Sequence, residues 1–326
     1  MRVRFTSLVL AACLFSAVSR AEAPAILTFV EGSVELFSGR SQKVHDSVPE
    51  GSVRVKYEGS HYLASSVKPG MTLPSGAWLR TRPGSRARVV FGNGDQMNVG
   101  PASLFKIEAP AKARGSQEMD LRYGMVRSII SKSGPRSGFK VRTASAVMGV
   151  RGTDFVVEAS DVTALTLIRG SVELSRHKEA AKTVSTGETA LVQDKKPVEK
   201  FATSQLEFRR VLAATEKSPQ AAPVSMPSEV LEREARARDV SKQDLLDHAA
   251  SPEERKKIES LVKDGADVQT LNRVAVTARI EQAPATSPGL QRLKEQMRKR
   301  YKISEQELNE LEKDPYGRYF EGTQTE

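Results

Sequence analysis

Apolar and polar residues alternate with period two through much of the first 200 positions. Ala87, Val89 and Phe91 fall on one side and Arg86 and Arg88 on the other, after which Asn93-Gly94 offers a two-residue turn into Met97 and Val99. Phe139, Val141 and Thr143 alternate in the same way with Lys140 and Arg142. The pattern predicts strands with one buried side each. It also predicts an outward stripe of Arg86, Arg88, Lys140 and Arg142, a candidate partner-binding surface.

A repeat sharpens this picture. Residues 27–36, LTFVEGSVEL, and residues 165–174, LTLIRGSVEL, agree at Leu, Thr, Gly, Ser, Val, Glu and Leu. Each is followed by a second similar phrase, Val67 to Leu73 in the first case and Val184 to Leu191 in the second. One supersecondary unit used twice is the physical reading. Leu121 to Val126 is a fainter echo, with Gly124 between apolar residues. The fold class expected is mainly β, antiparallel or solenoid-like, over residues 22–200, followed by a helical C-terminal region.

The period changes after Val192. Residues 201–217 read as a helix bearing Phe201, Leu206, Phe208, Val211 and Leu212, docked on the β domain as a closing element. Residues 218–228, rich in Pro, Ala and Ser, read as a linker. Beyond it, residues 229–326 read as separate helices, partly mobile, with short apolar stripes. Ser251-Pro252-Glu253-Glu254 starts one and Gly265 stops it, Ser287-Pro288 starts a second, and Ser304 to Glu307 a third.

Residues 1–21 have the form of a signal peptide, with Arg2 and Arg4 ahead of an apolar run from Phe5 to Val18, and cleavage is expected after Ala21. Cys13 sits in a lipobox-like Leu-Ala-Ala-Cys, which makes a lipoprotein the minor alternative. The expected location is the periplasm, with no transmembrane span. Cys13 is the only cysteine, so a mature chain without it holds together through its core and not through disulfides.

Charge divides the chain. The formal net charge is +10, yet from Glu229 onward 20 acidic residues face 18 basic ones, so the basic excess belongs to the β region. In an exported protein that excess suits an anionic envelope polymer or an envelope protein as partner, and the compartment argues against nucleic acid.

Thr143 to Ser160 is the stretch around which the β region is organised. It reads as strand, sharp bend, strand, with Gly149, Arg151, Gly152, Thr153 and Asp154 forming a candidate structural corner. Residues 147–155, VMGVRGTDF, resemble the signature of the FecR domain family, in which a strand ends in an apolar-Arg-Gly-Thr turn. Gly70-Met71-Thr72-Leu73, Leu79-Arg80-Thr81, Ser85 to Phe91 and Pro101-Ala102-Ser103 are similar to that family's upstream run, with Asn93-Gly94-Asp95 where the family has Asp-Gly. The resemblance covers about Leu27 to Val192. It implies a FecR-type β domain and protein partners. The family's best-known members relay an outer-membrane signal to a cytoplasmic sigma-factor partner, whereas this chain begins with a signal peptide where they carry a cytoplasmic segment and an anchor.

Catalytic patterns are lacking. His45, His61, His177 and His248 have no ligand spacing, so no metal is expected. Ser65-Ser66-Val67-Lys68 matches Ser-x-x-Lys, but Pro69-Gly70 denies it the helical turn that motif needs. No cofactor motif follows Gly92-Asn93-Gly94. The expectation is therefore a non-enzymatic periplasmic binding or scaffold protein acting through protein or envelope-polymer contacts. The alternative is the periplasmic sensing component of a sigma-factor regulatory system.

Overall fold

The structure is a computed structural model. It describes residues 25–41, 43–44, 47–108, 117–131, 138–176, 179–193, 196–216, 251–266 and 268–284, with single positions at 228, 245–246, 249, 295, 298 and 304. The expected signal peptide, most of the expected linker, residues 109–116 and 132–137, three of the four histidines and most of the expected last two helices lie outside the described residues.

The chain is mainly β. Eighteen strands are described: β1 (Ala25–Glu31), β2 (Val34–Ser41), β3 (Ser52–Tyr57), β4 (Ser60–Ser66), β5 (Thr72–Leu73), β6 (Trp78–Thr81), β7 (Arg86–Val90), β8 (Gln96–Val99), β9 (Ser103–Glu108), β10 (Gln117–Ile129), β11 (Phe139–Arg142), β12 (Ala146–Val150), β13 (Asp154–Ala159), β14 (Val162–Arg169), β15 (Ser171–Arg176), β16 (Lys182–Ser185), β17 (Glu188–Gln193) and β18 (Glu199–Ala202). Three helices follow, α1 (Gln205–Thr215), α2 (Pro252–Lys263) and α3 (Val268–Gln282).

The strands form two sheets that share β10. One runs β5-β1-β7-β8-β10-β13-β14-β17-β18. The other runs β3-β4-β2-β6-β9-β10-β11-β12-β15-β16. Every pairing is antiparallel except β10 with β11. The inner faces share one apolar core, to which the first sheet brings Leu27, Val89, Val126 and Leu165 and the second brings Leu36, Phe105, Met119 and Leu174. At roughly 1.5–3 kcal/mol for each large side chain removed from water, this core is what holds a chain without disulfides.

The repeated sequence is a repeated structure. β1 and β14 lie in the first sheet and β2 and β15 in the second, with a corner at Gly32 or Gly170 between them. Val34 accepts a hydrogen bond from Val67 N at 3.1 Å, and its counterpart Val172 pairs in register with Val184, the counterpart of Val67. β10 makes the same passage in reverse, its residues up to Tyr123 pairing in the second sheet and those from Gly124 in the first.

The passages between sheets line up as a row of corners. Arg82 N donates to Ser33 O, Ala102 N to Arg82 O, Gly100 N to Met125 O and Ile130 N to Thr153 O, all between 2.8 and 3.2 Å. Packing at the row is tight enough to require glycine. Gly124 has φ +95°, and a Cβ there would lie 2.2 Å from Ser103 Oγ.

Four expectations change. The turn after β7 is wider than two residues, because pairing stops at Val90 and Gln96 and Phe91 N closes the loop on Asp95 O. Asp95 is buried and accepts from Asn93 Nδ2 and Ser131 N, which fixes that wider loop. Strands of the first sheet are not buried on one side only: β14 is buried along its whole length, since α1 and α3 cover Ile168 on the sheet's outer face while Leu191 and Phe201 pack with Val162 and Ala164. The helix starts at Gln205, not Phe201, because residues 199–202 pair with β17 as β18 and Ser204 Oγ caps the helix by accepting from Glu207 N.

Nor are the later helices separate. Val276 and Ile280 of α3 pack with Phe208, Val211 and Leu212 of α1 against Met125, Val156 and Ile168 of the first sheet. α2 rests on α3 through Ile258, Leu271 and Ala275. Ser251 caps α2 with Pro252 in the first turn, and Gly265, at φ +79°, follows its C-terminus.

Candidate functional site

The corner around Arg151 divides into a buried half and an exposed half. Gly152, Thr153 and Asp154 are buried, and Asp154 begins β13 at the point where it pairs with Ile129 of β10. Its carboxylate takes two hydrogen bonds from the Arg127 guanidinium, Nε to Oδ1 at 2.9 Å and Nη2 to Oδ2 at 2.8 Å. Arg127 Nη1 reaches Glu216 Oε1 at 3.0 Å, just past the end of α1. Burial works against the charge on Arg127, but the carboxylates of Asp154 and Glu216 more than offset it and hold its pKa above the ordinary guanidinium range. The corner thereby ties β10, β13 and the end of α1 together.

Gly149 and Arg151 are the exposed half. Gly149 stands opposite Lys140 of β11 and opposite Glu173 of β15, leaving a gap between two charged side chains on the outer face of the second sheet. The side chains of Arg151 and Lys140 make no hydrogen bond or ion pair among the described residues.

The four cations read from the sequence do not form one stripe. Arg86 and Arg88 belong to the first sheet and Lys140 and Arg142 to the second. Arg86 is half-buried, donating to Ala214 O of α1 at 3.3 Å and pairing with Glu31 at 3.4 Å. Arg88 Nε donates to Asn98 Oδ1 at 2.9 Å, and Arg142 pairs with Glu118 at 2.6 Å. The alternation that identified these residues is real, but it carries no information about which sheet a strand joins.

Sequence reading missed two features. Under α1, Glu207 is fully buried, and burial pushes its carboxyl pKa up against the opposing pull of Arg210. On the outer face of the second sheet, Phe37, Tyr62, Ala64, Trp78 and Leu104 form an aromatic cluster. Arg80 lies 4.7 Å over Phe37, and Lys106 and Arg122 lie 5.1 and 5.3 Å from the Trp78 ring centre. The β3–β4 hairpin folds over it, placing Tyr57 edge-on to Trp78 at 5.1 Å. A cavity of about 440 Å³ opens beside this cluster. Its residues are scattered between positions 37 and 108, so no local spacing announced it. Among the described residues, no group of three His, Cys, Asp or Glu side chains could hold a metal ion.

Residues 77–173 match the FecR protein family. The FecR match begins just before β6 and ends within β15, so it contains the kinked β10 and the whole corner, and it agrees with the resemblance carried by the Val147–Phe155 signature. Two crystal structures of a candidate anti-sigma factor from Parabacteroides distasonis ATCC 8503 share 16% and 18% identity with the chain, each at a TM-score of 0.34. Each likeness covers 38% of this chain and 59% of that one, and at such a score it carries no argument. No curated protein matches the chain. Among the described residues, no helix is long and apolar enough to cross a membrane.

Proposed function

We propose that this protein is a non-enzymatic regulatory component of the cell envelope, a FecR-type sensing module that works by protein contact. The FecR match over residues 77–173 is the observation that carries the reading, because it favours the signalling alternative over a polymer scaffold. Geometry supports the same preference. Arg86, Arg88 and Arg142, three of the four cations that an anionic polymer would need, are already engaged by an acceptor or carboxylate of the chain, Arg142 at the surface. The contact surface is the outer face of the second sheet around Gly149. There, a side chain of the partner can enter the gap between Lys140 and Glu173, with Arg151 beside it. Export to the periplasm by cleavage after Ala21 belongs to this proposal, as does the absence of catalysis.

The test is complementation in the native host of a strain lacking the gene. Lys140→Glu and Arg151→Glu together are expected to leave folding intact, since both side chains are exposed, while abolishing the transcriptional response that the intact chain restores. A fully restored response with the double variant contradicts this surface. Co-sedimentation with purified cell-wall polymer that weakens with salt would instead favour the scaffold reading.

A further inference from the structure

The two copies of the repeat differ at one place. In the second copy β15 leads directly to its partner β16, whereas in the first copy the chain makes an extra strand, β3, between β2 and β4. β3 pairs with β4 alone and is the outermost strand of the second sheet. The other edges are short or tied. β5 has only two residues, and β16 is joined to β18 and the chain entering it, Lys182 Nζ donating to Val198 O at 3.1 Å and Lys200 Nζ to Thr183 O at 2.9 Å. β3 has six residues, and among the described residues no strand lies beyond it.

Register fixes which backbone groups this edge presents. Glu58 and Gly59, at φ 45° and 73°, make the two-residue turn between β3 and β4, so Tyr57 and Ser60 form the closing hydrogen-bonded pair. Hydrogen-bonded positions then recur at Val55 and Val53, opposite Tyr62 and Ala64. The backbone groups of Arg54 and Lys56 therefore point away from β4, where an added strand would lie.

Side chains divide the edge into an apolar and a basic side. Val55 and Tyr57 pack against the aromatic cluster, but Val53, on the same side, stays 57% exposed. Among the described residues the large apolar side chains left exposed are Val44, Val48 and Val53, all in β3 or the chain leading into it. Arg54 and Lys56 stand exposed on the opposite side. A second copy paired antiparallel about Val55 would bring Arg54 of each copy opposite Lys56 of the other, and like charges directly opposite are destabilising. An extended segment that alternates carboxylate and apolar residues suits both sides at once.

We propose that β3 is a docking edge, to which an extended segment of a partner protein, alternating acidic and apolar residues, adds as a further strand of the second sheet. This goes beyond the regulatory reading and does not depend on the surface around Gly149. The residues of the segment directly opposite Arg54 and Lys56 carry the carboxylates and also exchange the backbone hydrogen bonds, because those two positions face outward.

The full chain is titrated calorimetrically with a doubly capped Glu-Val-Glu-Val-Glu-Val peptide, with its Lys-Val counterpart, and with acidic peptides N-methylated either at the glutamates or at the valines. Saturable binding is expected for the acidic peptide and for the form methylated at valine, and none for the Lys-Val peptide or the form methylated at glutamate. The Lys56 amide should exchange rapidly in the free chain and become protected when the acidic peptide is bound. Lys56→Glu, at an exposed position, should weaken the acidic peptide by about fivefold, as for an exposed ion pair, without altering the unfolding midpoint. Failure of the acidic peptide to saturate overturns the proposal, as does equal binding of the two methylated forms or unchanged affinity in Lys56→Glu. A Lys56 amide already protected in the free chain also overturns it, and if that chain sediments as a dimer the edge belongs to a second copy.

Discussion

Arg127 and Asp154 meet as a two-bond pair between neighbouring strands, at 2.9 and 2.8 Å, with side chains only 4% and 2% exposed. A buried pair of this kind adds little over an apolar pair of equal volume, but removing one partner leaves the other charge stranded. Asp154→Ala is expected to lower stability by about 3–5 kcal/mol. Glu216→Gln, which removes a carboxylate that is 49% exposed, should cost less than about 1 kcal/mol. Urea unfolding of both variants checks the contrast, and equal losses would mean that the pair does not organise the corner.

The row of corners predicts that glycines of similar backbone angle differ widely in tolerance. Gly124→Ala would place its Cβ 2.2 Å from Ser103 Oγ and 2.4 Å from Ser103 Cα, so the backbone of the row must shift. Gly187 has φ +79° but nothing within 4 Å of a Cβ, so Gly187→Ala should cost only the left-handed backbone penalty of about 1–2 kcal/mol. Thermal unfolding should show Gly124→Ala clearly below Gly187→Ala. The reverse order would contradict the corner packing.

Glu207 predicts a dependence of stability on pH. Burial is the main cause of its raised pKa, so the folded chain holds a proton that the unfolded chain has released above the ordinary value of 4.5. The folded state therefore binds more protons, and stability falls as pH rises from 4.5 through the raised folded value. Glu207→Gln should remove that part of the fall, giving a flatter profile over the same window. Urea midpoints measured across this range for both proteins check it, and parallel profiles would rule out Glu207 as the source.

Local pattern made much of this fold legible. Alternation found β7 and β11, the repeated decapeptide found two strand-corner-strand units, and Ser251 with Pro252 marked the start of α2. What stayed hidden depends on which strands become neighbours. Arg86 and Lys140 read alike in sequence, yet one joins the sheet that α1 covers and the other joins the open face. The partner of Asp154 is 27 residues away on β10, and the alternation of β10 does not mark Arg127 as buried. The short apolar stripes of α2 and α3 looked too weak for a packed region. They suffice because α3 rests on the sheet through Val276 and Ile280 and α2 needs only to cover α3.

The regulatory role is tested most directly by transcript levels in the native host, compared between the intact strain, a strain lacking the gene, and that strain carrying the full chain. A defined set of transcripts that changes on deletion and returns with the full chain is the predicted result. Unchanged transcripts in the deleted strain, together with a cell-wall fraction that retains the protein until salt is raised, would contradict it.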